Sequence, residues 1–165
     1  MHTTAPASWA PRLPPTHHTW ENHGAQWLAS TMDPPSIILA EWSDSPDHLA
    51  EVPLGVLFDV LRVADAIGLP ALEELYQQRV ALGPVLHCQP RQTVELLVPV
   101  GAAEKWDALR GTVCAGQGGT LRCPAPGTVS RGRTWLQPPS GTGVLTDPEV
   151  LRAALMPRAR RSHHL

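Results

Sequence analysis

The chain has 165 residues, a formal net charge of -2 at pH 7 and 42% hydrophobic residues, which suits one domain with a buried core. That charge excludes the broad electropositive footprint of a strong nonspecific nucleic-acid binder. The lack of a long apolar run excludes a membrane span, a signal peptide and a membrane partner, and gives a cytoplasmic expectation. Charged residues reach only 17% against 18 prolines and 13 glycines, so many turns and irregular connections are expected.

Residues 1–19 hold Pro6, Pro11, Pro14 and Pro15 among Thr, Ala and His without apolar periodicity, and read as a disordered Pro/His-rich arm. His17, His18 and His23 are candidate metal ligands there, or polar residues with no role. Residues 20–156 read as a single domain. Trp20, Trp27 and Leu28 share an apolar stripe, which predicts a helix over 21–31. Asp33-Pro34-Pro35 ends it, and 36–42 reads as a second short helix before the polar turn 43–47.

Residues 52–63 are too continuously apolar for an exposed strand and predict a central strand covered on both faces. Asp59 interrupts that run. It is either a remnant metal ligand or a strand-end carboxylate that caps a following turn or pairs with Arg62. A helix is predicted over 70–80, with Leu72, Leu75, Tyr76 and Arg79 at helical offsets and Pro70 in its first turn. A hairpin is predicted from 84–88 and 93–98, then a short helix over 102–109.

Gly116-Gln117-Gly118-Gly119 is either a phosphate cradle or a plain turn; no Lys-Ser or Lys-Thr follows, so it is not a P-loop. Late strands are predicted over 121–123 and 134–137, with Arg131-Gly132-Arg133 in the turn between them. These arginines are candidate phosphate contacts, because a guanidinium forks onto two oxygens, or members of a solvated loop. Thr146-Asp147-Pro148-Glu149 is a capping box that starts a helix running to about residue 155 and stopped by Pro157. Residues 157–165 read as a basic flexible tail. The three cysteines, Cys88, Cys114 and Cys123, are expected as reduced thiols, since His87 and these cysteines lack the close pair that organises zinc.

The order Thr31-x-Asp33-Pro34, Trp42, Pro46, Gly55 and Phe58-Asp59-Val60 resembles the actinobacterial bifunctional DNA primase/polymerase N-terminal (prim-pol) family of the archaeo-eukaryotic primase superfamily. Gly116–Gly119 and the ending Trp135-Leu136-Gln137-Pro138-Pro139-Ser140 extend the resemblance to residues 20–155. It implies an α+β (α/β-like) fold, a mixed sheet flanked by short helices, and metal-dependent nucleotidyl transfer. Alternation along a strand places Asp59 and residue 61 on one face, where an Asp-x-Asp pair shares two divalent ions. Leu61 stands at the second position and offers no oxygen. The histidine expected after the Gly-rich turn is replaced by Thr120-Leu121-Arg122, and 128–134 carries no acid.

The expectation is therefore a degenerate, non-catalytic member with Asp59 as a remnant ligand. No cofactor is expected, and magnesium or manganese enters only if activity is retained. Such a domain binds single-stranded DNA or a nucleotide through Arg62, Arg122, Arg131 and Arg133. The alternatives are a protein-interaction or regulatory scaffold, and an active enzyme recruiting Asp65 or Glu95.

Overall fold

The computed structural model describes residues 18–163. Its helices are α1 (His18–Ala29), α2 (Ser36–Asp44), α3 (Asp65–Gln77), α4 (Ala102–Lys105) and α5 (Pro148–His163). Its strands are β1 (Ala50–Pro53), β2 (Asp59–Ala64), β3 (Val85–Cys88), β4 (Thr93–Val98), β5 (Thr112–Ala115), β6 (Thr120–Cys123), β7 (Val129–Ser130) and β8 (Arg133–Gln137). The fold is α+β. Six strands form one sheet in the order β5-β2-β4-β3-β8-β7, and β1 pairs with β6 in a separate ribbon. Every pairing is antiparallel, where a mixed sheet was expected. Short turns rather than crossover helices join β3 to β4 and β7 to β8, and such links permit only antiparallel neighbours.

The apolar run over 52–63 does not make one strand. It splits at Leu54–Phe58 into β1 of the ribbon and β2 of the main sheet. β2 keeps the predicted double burial: Leu61 and Val63 join one core cluster and Val60 the other. The first cluster lies under α3 and α5 and takes in Leu72, Leu75, Leu96, Leu151 and Leu155. The second lies under α1, α2 and the β1–β6 ribbon and takes in Leu28, Trp42, Val52, Phe58, Leu97 and Trp135. Trp27 stacks on Phe58 with ring centroids 5.4 Å apart, so this tryptophan is core, as its helical spacing suggests.

Four sequence expectations shift. α3 begins at Asp65, so Pro70 lies in its second turn rather than its first. α4 stops at Lys105 because Trp106 is extended, and the Thr112 hydroxyl fixes the following loop by accepting from Trp106 Nε1 at 3.0 Å and donating to the Leu109 carbonyl at 2.7 Å. The capping side chain of α5 is Asp147, whose Oδ1 accepts from Glu149 N at 2.9 Å; Thr146 is fully buried and its Oγ1 accepts from Gly83 N instead. Pro157 does not stop α5, which runs to His163. Ala159 is buried against the first core cluster, and Arg158 pairs with Glu74 of α3 at 2.8 Å. The basic segment is thus helix in large part, with 164–165 outside the described residues. The arm expected over 1–19, with His17, lies mostly outside them too.

Candidate functional site

Three loops converge at one end of β2: the β1–β2 turn, the β4–α4 link and the Gly-rich β5–β6 turn. Between them is an open cleft of about 370 Å³ whose lining includes Asp59, Val100, Glu104 and Gln117. Asp59 is the first residue of β2 and only 2% exposed. Its Oδ2 accepts from Gly101 N at 2.9 Å and from Ala103 N at 3.0 Å, the first turn of α4. A carboxylate there satisfies orphan donors and meets the positive end of the turn. Its Oδ1 is buried and has no hydrogen-bond partner among the protein groups.

The neighbouring glycines are dictated by this packing. A Cβ on Gly116 would lie 3.1 Å from Asp59 Oδ2 and 3.0 Å from the Ala103 Cβ. Gly55, at φ +82, lets the β1–β2 turn press against Gln117, whose Cα would meet a Cβ there at 2.7 Å. The Gly116–Gly119 segment is closed by Gly119 N donating to Gly116 O at 2.9 Å. It forms a tight turn over the carboxylate, and among the described residues no Lys or Arg lines the cleft beside it.

The acids weighed as metal ligands do not converge. Leu61 is fully buried beneath α3 and α5. Glu95 pairs with Arg62 across β4 and β2; alternation therefore puts it on the sheet face opposite Asp59. Asp65 lies beyond the far end of β2, about 20 Å along the chain at strand rise, and its Oδ2 meets His87 Nε2 at 3.0 Å. Among the described residues no three His, Cys, Asp or Glu groups are placed to hold a metal ion. The residues present do not fit the two-ion site that the primase resemblance implies.

The four arginines divide into two pairs. Arg133 is 8% exposed. Its Nη1 lies 3.8 Å from Glu95 Oε2 and donates to the Arg122 carbonyl at 3.1 Å. Arg62 sets Nε 3.5 Å from the same carboxylate oxygen and donates from Nη2 to the Thr120 carbonyl at 2.9 Å. Both guanidiniums are engaged by internal partners, and Arg62 keeps part of its side chain exposed. Thr120 and Arg122 are two apart on β6, so their carbonyls share one strand edge, and Glu95 anchors the two arginines that hold that edge on the main sheet. Arg122 and Arg131 have exposed side chains; Arg122 stands opposite Glu51 on β1. Sequence reasoning missed Arg91, exposed on the β3–β4 turn. Gln89 N donates to Gly132 O at 2.9 Å and ties that turn to the one bearing Arg131.

The thiols are dispersed. Cys88 and Cys123 are buried and Cys114 is half-buried. Burial, with the Asp59 charge adding to it, pushes the Cys114 thiol up to about 11, against a smaller opposing pull from Arg62. Cys123 is raised further, by burial first and then by Glu95, with Arg133 opposing. No family model matches the chain, and neither a curated protein nor a solved structure matches it.

Proposed function

We propose that this chain is a non-catalytic, degenerate primase/polymerase-like domain that binds single-stranded nucleic acid weakly through exposed arginines. The observation that carries the non-catalytic part is the separation of the acids. Asp59 is engaged with the first turn of α4, Leu61 is buried in the core, and Glu95 is paired with Arg62 and Arg133. Nucleotidyl transfer needs oxygen ligands gathered on one face, and among the described residues no three His, Cys, Asp or Glu groups gather in that way. The binding part rests on Arg91, Arg122 and Arg131, which keep exposed side chains.

Fluorescence anisotropy of a labelled single-stranded oligonucleotide tests the binding part, and primer extension on the same oligonucleotide with nucleotides tests the non-catalytic part. Saturable binding should weaken with salt, as counterions compete for phosphate. It should also weaken in Arg122→Ala and Arg131→Ala, and no nucleotide should be incorporated with magnesium or manganese. Metal-dependent incorporation abolished by Asp59→Ala would overturn the non-catalytic part. Binding absent even at low salt would overturn the nucleic-acid part in favour of a protein-interaction scaffold. That second reading has its own support: β5 is an edge strand carrying Val113, 63% exposed, and an unpaired apolar edge is a template for strand addition.

A further inference from the structure

We infer that the cleft over Asp59 binds an organic cation, a guanidinium or primary ammonium group. This goes beyond the nucleic-acid reading and does not depend on it. Asp59 lines the cleft while almost wholly buried. One of its oxygens is doubly satisfied by backbone N–H groups and the other has no partner among the described protein groups. A buried carboxylate oxygen left unpaired is unfavourable, and a charged N–H donor is the group that relieves it best.

The rest of the lining selects the class of ligand. Glu104, exposed at the rim, adds a second negative charge, and among the described residues no Lys or Arg lines the cleft; its lining therefore disfavours phosphates and free carboxylates. Its donor set falls short of a metal site, because a hard divalent ion wants six or more oxygens. A guanidinium or ammonium group brings its own hydrogens and asks only for acceptors. Val100, 51% exposed, supplies apolar surface for the alkyl stem that carries such a head. Gly55, Gly101 and Gly116 contribute only backbone to its walls.

The test is an amide NMR titration of the full chain with agmatine and with a capped arginine peptide, using the matching citrulline peptide as the uncharged isostere. Saturable shifts of the Gly101, Ala103 and Gly116 amides by the charged probes alone are expected. Asp59→Asn and Glu104→Arg should each weaken them about tenfold, the scale of one charge-assisted hydrogen bond. Glu104 is exposed, so its variant keeps the test decisive if Asp59→Asn does not fold. Tighter binding of the peptide assigns the natural cation to a partner's side chain, and tighter binding of agmatine to a small amine. The inference is overturned if shifts fail to saturate, if citrulline acts equally, if neither variant weakens them, or if divalent manganese displaces the probes from the same amides.

Discussion

Cysteine chemistry at single positions follows from burial. Cys114 sits on β5 beside the Asp59 carboxylate, and its thiol is raised from the ordinary 9.0 to about 11. Folding therefore favours the protonated thiol. A group raised on folding contributes stability that is complete below its unfolded value and is lost as pH climbs through the folded one. Stability should thus fall between pH 9.0 and about 11, and Cys114→Ser, which does not titrate there, should flatten that fall in denaturation curves. An unchanged slope would mean that Cys114 gains nothing from burial. In alkylation near neutral pH, Cys114 should react first, because Cys88 is 1% exposed and Cys123 fully buried; equal rates for all three thiols would contradict this placement. Asp59 teaches a related lesson at the same scale. A carboxylate inside an apolar run signals a special role from sequence alone, but the turn it caps is not the following one that the capping alternative supposed. The capped turn starts at Gly101, 42 residues along the chain, and no local pattern reveals that partner.

Between elements, the Arg62–Glu95–Arg133 group fixes how the β1–β6 ribbon lies on the main sheet. Glu95 is 2% exposed, faces two guanidiniums and leaves Oε1 without a hydrogen-bond partner. Removing the anion strands Arg133 in a nearly closed site, which costs about 3–5 kcal/mol for a buried partner. Glu95→Ala should therefore lower the urea midpoint strongly at unchanged slope, and Glu95→Gln should cost less because one oxygen still accepts. Arg62→Ala should be milder, since the Arg62 side chain is 30% exposed. Amide exchange separates this account from a general loss of stability. In Glu95→Gln the β6 amides should open ahead of those of β2 and β4, as a locally released unit; uniform acceleration through the sheet would show that the ribbon does not depend on this anchor. The sequence made the hairpin of β3 and β4 legible, because apolar runs flank a turn of polar residues and proline. It did not reveal that β1 leaves the β2 run to pair with β6. That pairing joins residues about 70 apart, Ala50 with Cys123, and apolar continuity masked the break at Gly55.

Across the whole molecule, the sheet has a core on each face, and α5 closes one of them from the C-terminal end. Composition pointed to a basic tail after Pro157, since a proline within a helix removes one backbone donor. Burial decides otherwise: Leu151 and Leu155 seat α5 on the core, and the same helix carries Ala159 beneath the surface and Arg158 onto Glu74. One lost hydrogen bond is offset when the next turn buries an apolar residue and gains an ion pair. A chain ending at Met156 should consequently be less stable than one ending at His163, by about 1–2 kcal/mol from the buried alanine and the partly exposed pair. For a domain of this size that is a fall of roughly 3–6 °C in Tm. Glu74→Gln in the longer chain should reproduce only the ion-pair share, because Ala159 stays in place. Equal Tm values for the two chain lengths would return residues 157–163 to the status of a solvated tail and confine the helical core to the turns before Pro157.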